Sequence, residues 1–248
     1  MVRRLKRTVR RFLAARGYSV SWSLPWQIAG VHLEADLPRI IEEDNPIILD
    51  VGANVGQTVD LMLKLFPNAK ILAFEPASEP FTVLTAHYGD RCQRILKIAL
   101  GDEDGVQTFT KYSSPEYSSL HTFHSDASQH EGIANIQVVG SEEVTVRTLD
   151  SLWPELGVPR IDLLKIDTQG HDLAVLRGAA SLLRSGLIGA VLVEVMFLNM
   201  YSGEGSWLQI AQTLESAGYK LVDFYEKHRA GHVLSWCNGL FVLEPSRS

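Results

Sequence analysis

From about residue 47 onward, short apolar runs alternate with segments of helical period. A parallel sheet covered by helices on both faces satisfies that rhythm. The apolar runs fall at 47–51, 70–74, 95–100, 161–167 and 190–195, and helix-period segments lie near 55–66, 77–88, 171–184 and 206–217. The alternation stops at residue 219. The runs 219–226 and 235–243 are joined by a polar stretch holding Gly231, with no room for a crossover helix. They predict an antiparallel hairpin closing one sheet edge. The expected fold class is therefore α/β: a doubly wound, mostly parallel sheet of seven strands with a C-terminal antiparallel hairpin.

Two regions fall outside this rhythm. Residues 1–45 predict an N-terminal helical extension ahead of the main domain at 46–248. Residues 112–142 are rich in Ser, His and Gly and sit between short strand patterns at 106–111 and 143–147. So long an insertion in a compact domain reads as a lid or binding loop.

Charge narrows the partners. Residues 1–16 carry seven basic side chains and no acid, leaving 16 basic against 29 acidic residues in the rest of the chain. A body that acidic argues against nucleic acid, whose phosphates need clustered Lys and Arg. The basic segment places Val2, Leu5, Val9, Phe12 and Leu13 at helical spacing. Docking of that stripe on the chain's own body or a neighbouring subunit is favoured over contact with an anionic membrane surface. Cys92 and Cys237 are too few for a disulfide framework, and the N-terminus lacks the continuous apolar stretch of a signal peptide. Both point to the cytoplasm.

The stretch Ile48-Leu49-Asp50-Val51-Gly52-Ala53-Asn54-Val55-Gly56 is a strand ending in an acid, then a glycine turn, then a helix. Such a turn at the carboxyl end of a parallel strand is where an open α/β sheet binds ligands. Counting from Gly52, the third and sixth positions are Asn54 and Gln57, so the dinucleotide fingerprint is absent. An acid in the turn disfavours a pyrophosphate and suits a cationic ligand. A second strand ends in Phe74-Glu75-Pro76, placing Glu75 to accept hydrogen bonds from a ribose. Together they fit a cationic nucleoside such as S-adenosylmethionine.

At this point the sequence resembles the FkbM family of S-adenosylmethionine-dependent methyltransferases. The resemblance is carried by Asp50-Val51-Gly52-Ala53-Asn54-Val55-Gly56, Phe74-Glu75-Pro76, Ala99-Leu100-Gly101-Asp102 and Val146 through Thr148-Leu149-Asp150. Leu164-Lys165-Ile166-Asp167, Gly170, Leu176-Arg177-Gly178-Ala179 and Glu194 complete it. Gln169 departs from it, standing where many members are expected to carry Glu. The resemblance implies a seven-stranded, Rossmann-like class I methyltransferase sheet, methyl transfer to a hydroxyl oxygen, and no required metal. By it, Asp50, Gly52, Asn54 and Gly56 line the methionine end of the cofactor, Glu75 and Pro76 flank the ribose, and Ala99 and Leu100 lie beside the adenine. Ser119, in the Ser118-Ser119-Leu120 element of the insertion, reaches back toward the site.

A hydroxyl acceptor needs its proton removed, usually by a carboxylate or imidazole. Asp167 ends the fourth parallel strand, Glu194 the fifth, and His171 follows the Gly170 turn, so these three are the candidate proton acceptors. His121, His124, Asp126 and His130 match no defined zinc spacing, and no metal is expected. The expected acceptor is a hydroxylated small molecule such as a sugar, glycolipid or macrolide-like scaffold; a homo-oligomer is left open. A nicotinamide-dependent oxidoreductase and a non-catalytic cofactor-binding scaffold are the alternatives.

Overall fold

The structure, a computed structural model, describes residues 27–125, 127, 133 and 135–244. The basic helix expected over residues 1–16 lies outside these. Ten strands and seven α-helices make up the described residues: α1 (Leu33–Ile40), β1 (Ile47–Val51), α2 (Gln57–Leu65), β2 (Lys70–Phe74), α3 (Ser78–Tyr88), β3 (Arg94–Leu96), β4 (Ala99–Leu100), β5 (Gly105–Tyr112), β6 (Val138–Arg147), α4 (Leu149–Leu156), β7 (Ile161–Ile166), α5 (Asp172–Gly178), α6 (Ala180–Arg184), β8 (Ile188–Met196), α7 (Trp207–Ser216), β9 (Tyr219–Ala230) and β10 (Val233–Leu243).

Seven strands form one sheet in the order β3-β2-β1-β7-β8-β10-β9. Five run parallel, and β10 lies antiparallel between β8 and β9, so the hairpin closes the edge as the sequence predicts. Side chains alternate across the sheet. Ile47, Leu49 and Val51 of β1 enter a core with α4, α5, α6 and α7, whereas Ile48 enters one with α1 and α2. Both faces are thus covered, which is why β1 and β7 are buried at every residue. No helix among the described residues is long and apolar enough to cross a membrane.

Three local expectations are corrected. The run 95–100 is two strands. Arg94–Leu96 pairs with β2, and Ala99–Leu100 leaves the main sheet to pair parallel with Val146 and Arg147 of β6. The partner that captures it lies far along the chain, so no local pattern marks the break. The result is a second, three-stranded sheet, β4-β6-β5, standing over the carboxyl end of the first. The insertion is also shorter than 112–142, because β6 begins at Val138.

The helix-period segment 171–184 is likewise two helices, broken at Ala179. There Gly178 packs so closely on the backbone of Gly101 that a Cβ would collide with the Gly101 carbonyl oxygen. The helix thus ends where it must pass β4.

Candidate active site

The glycine turn after β1 is built by the strands beside it. Gly52 N–H and Ala53 N–H both donate to the Phe74 carbonyl at 3.0 Å, and Asp167 N–H donates to the Val51 carbonyl at 3.0 Å. Gly52 has φ +80°, and a Cβ there would strike the Asp167 carbonyl oxygen, so glycine alone lets the turn close against the end of β7. Above these ends lies a cavity of about 600 Å³.

One end of the cavity carries a carboxylate and an apolar slot. Glu75 is buried; its Oε2 accepts from Asn54 N–H and its Oε1 from Ala77 N–H, both at 2.8 Å. Burial pushes its carboxyl up to about 7, and the two amide hydrogen bonds oppose that rise. Pro76, Ala99, Leu100 and Phe109 supply the apolar walls. Across them, Glu142 of β6 accepts from Ser78 N–H at 3.1 Å and from Lys111 Nζ at 2.8 Å. This ties the small sheet to the start of α3.

The other end is crowded with charge. Lys165, buried in β7, sits 3.4 Å from Asp50 Oδ1 and 3.3 Å from Asp167 Oδ2. Burial alone would lower its ammonium, but Asp167 and Asp50 outweigh burial and raise it. Burial raises the Asp50 carboxyl, opposed by Lys165. Glu194 is raised well above the usual range, first by burial and then by Asp167 and Asp172. Asp172 accepts from Thr168 N–H at 3.0 Å and Gly170 N–H at 3.1 Å, and burial lifts it to about 6. One buried ammonium therefore faces several carboxyl groups, a setting that favours a cation.

The proposed site residues divide into two sets. Gly52, Asn54, Glu75, Pro76, Ala99, Leu100, Asp167 and His171 line the cavity. Asp50, Gly56, Ser119 and Glu194 are not among its lining residues. Asp50 is fully buried beside Lys165. Gly56, at φ +102°, makes room for the Tyr88 ring. Ser119 Oγ donates to the Gln169 carbonyl at 2.6 Å and accepts from His121 N–H at 3.0 Å, so it braces the 168–170 turn from outside. Glu194 Oε2 accepts from Gln169 Nε2 at 3.1 Å, and its carboxyl also hydrogen-bonds that of Asp167.

His171 is in the wall but poorly suited to take a proton. Its Nδ1 meets His121 Nε2 at 3.1 Å, and burial, reinforced by His121, depresses the imidazole to about 4. An imidazole of so low a basicity is a weak proton acceptor near neutral pH. Asp126 and His130 lie outside the described residues, and His121 turns to His171.

Sequence reasoning missed Lys165, Thr168, Lys111 and Phe109 in the cavity wall, and Tyr201 bonded to Gln169 behind it. Lys165 had a signal, being a lone cation inside the apolar run Ile161–Ile166. Tyr201 had none. Its hydroxyl donates toward Gln169 Oε1 and the Tyr117 carbonyl, both 3.0 Å away, from a loop distant in sequence.

Comparison with known proteins places the chain in a family. The family model described as the methyltransferase FkbM domain matches residues 50–221. The chain is 30% identical over 154 residues to a 31-O-demethyl-FK506 methyltransferase, FkbM, of Streptomyces tacrolimicus, covering 53% of this chain and 58% of that protein. It is 25% identical to a 2-O-methyltransferase, NoeI, of Sinorhizobium fredii, covering 83% of this chain and 85% of that protein. Three of the curated relatives are matched over only 8%, 60% and 58% of their own length. Among solved structures, the methyltransferase FkbM of Methylobacillus flagellatus superposes with a TM-score of 0.52 at 13% identity, over 80% of this chain and 44% of that one. With more than half of its length matched by that family model, the chain belongs to the FkbM methyltransferase family.

Proposed function

We propose that the chain binds S-adenosylmethionine in this cavity and methylates a hydroxyl oxygen of a small molecule such as a sugar or a macrolide-like scaffold. One observation carries the reading: a single cavity runs from the buried carboxyl of Glu75, past apolar walls, to the carboxylate-rich end at Asp167. The donor set fits the group. A carboxyl beside an apolar slot suits a ribose next to a purine, and the Asp167 carboxylate in the cavity wall suits a sulfonium. Two relatives carry oxygen methylation in their names, which supports a hydroxyl acceptor.

When bound, S-adenosylmethionine supplies a methyl group already activated for displacement. The chain's work is then alignment, exclusion of water and removal of one proton. Glu75, Pro76, Ala99 and Leu100 would hold the nucleoside. Lys165 lies in the cavity wall and suits a ligand carboxylate. Asp167 is the proton acceptor: it is the carboxylate among the three candidates that lines the cavity, whereas His171 is depressed to about 4 and Glu194 is not among the lining residues. Glu194 acts behind it.

The test is a screen of sugars, glycosylated lipids and macrolides with radiolabelled methyl donor, followed by mass spectrometry of the product. On the acceptor found, Asp167→Asn should lower turnover by about 10²–10⁴-fold. S-adenosylhomocysteine affinity should stay within about tenfold, or about 1.4 kcal/mol. Turnover by Asp167→Asn at the parent rate would remove the proton-acceptor role.

A further inference from the structure

The Gln169 side chain is the centre of a closed hydrogen-bond group. Its Nε2 donates to Asp167 Oδ1 at 2.8 Å and to Glu194 Oε2 at 3.1 Å. Its Oε1 accepts from the Tyr201 hydroxyl at 3.0 Å. Both amide hydrogens and the amide oxygen are therefore engaged, and each points to a different element: the end of β7, the end of β8 and the 197–206 loop.

The backbone is shaped for this. Gln169 has φ +54° and Gly170 φ +92°, two consecutive left-handed residues. For a side chain larger than glycine that conformation is strained, and such strain persists where the surroundings over-determine it. They do so here. Ser119 Oγ grips the Gln169 carbonyl, Asp172 grips Gly170 N–H, and a Cβ on Gly170 would press at 3.0 Å on the Tyr201 side chain.

We propose that Gln169 is a positioning residue whose uncharged amide clamps Asp167 and Glu194 as one fixed pair, with Asp167 in the cavity wall and Glu194 behind it. The catalytic meaning of the clamp rests on the methyl-transfer reading above; its geometry does not. The amide is what allows the arrangement. A carboxylate at position 169 would add a third acid to Asp167 and Glu194 beside a single Lys165, and could bridge them only by carrying a proton. The amide supplies two donors at every pH. Glu194 reports on the clamp because other charged and titratable groups also face it and would stay unchanged: Lys165 and Asp167 from β7, Asp172 from α5, Tyr117 and Tyr201 from the loops, and Cys237 from β10.

The experiment follows the Glu194 carboxyl carbon by ¹³C NMR across pH in the full chain, for the parent, Gln169→Met and Gln169→Glu. Calorimetric titration with S-adenosylhomocysteine runs in parallel. Gln169→Met keeps the length but deletes both donors, so the Glu194 midpoint should rise by about half a pH unit or more. Gln169→Glu should raise it further through like charge. A merely structural role would leave the Glu194 midpoint where it is.

In the parent, the Gln169 side-chain amide hydrogens should exchange at least about tenfold more slowly than those of exposed glutamines, which needs no variant to fold. Unchanged Glu194 midpoints in both variants, or Gln169 amide hydrogens exchanging like exposed ones, would overturn the clamp. A parent that shows both signatures yet ignores S-adenosylhomocysteine would uphold the clamp and fell the methyl-transfer reading instead.

Discussion

Asp50 and Lys165 are register partners on the adjacent strands β1 and β7, and their charged ends meet 3.4 Å apart in the interior. Apart from the Lys165 ammonium, neither Asp50 oxygen has a hydrogen-bond donor among the described residues, so the ammonium is its main compensation. Lys165→Met should therefore leave a buried carboxyl uncompensated and destabilise the fold by about 3–5 kcal/mol. The double variant Asp50→Asn with Lys165→Met should recover a large part of that loss. Chemical denaturation of the parent and the two variants measures both. A loss below about 1 kcal/mol for Lys165→Met would show that the pair is not holding the two strands' charges in balance.

Glu75 gives the fold a pH dependence of known sign. Its folded-state carboxyl is raised to about 7 from 4.5, so the proton is held more tightly in the folded chain than in the unfolded one. Stability from this group is complete below about pH 4.5 and is lost as pH rises through about 7. Glu75→Gln cannot lose that proton. The melting temperature of Glu75→Gln minus that of the parent should become more positive between about pH 5 and pH 8, whatever its offset. A flat difference across that range would show that Glu75 is ionised as in water.

The second sheet meets α5 through two glycines. In an ordinary helix, Gly→Ala stabilises by about 1 kcal/mol. At Gly178 the sign should reverse, because the added Cβ meets the Gly101 carbonyl oxygen of the backbone, which cannot swing aside. Gly178→Ala should cost about 1–3 kcal/mol in chemical denaturation. A stabilised variant would mean that α5 and the β4 turn are not in contact in solution.

What the sequence made legible follows from range. The acids Asp50, Glu75, Asp167 and Glu194 could be placed because each lies at or near the carboxyl end of an apolar run whose period is local. The hairpin at 219–243 was legible for the same reason, as there was no room for a helix. Which of these acids line the cavity was not, because that depends on the pairing of Asp50 with Lys165 and on the contacts that Asp167, Glu194 and Gln169 make with one another. The division of 95–100 into two strands depends on Val146 and Arg147, and the break at Ala179 on Gly101. Ser119 was located in the right element, but its hydroxyl serves the backbone of Gln169.

The most direct measurement is calorimetric titration of the parent chain and of Glu75→Ala with S-adenosylhomocysteine and, separately, with NAD. The proposed cavity should bind one S-adenosylhomocysteine per chain, and Glu75→Ala should weaken it by about tenfold or more, equivalent to about 1.4 kcal/mol. NAD should give no saturable heat, because the glycine turn lacks the dinucleotide spacing. Saturable NAD binding with no response to S-adenosylhomocysteine, or equal S-adenosylhomocysteine affinity with and without the Glu75 carboxyl, would contradict the assignment of this cavity.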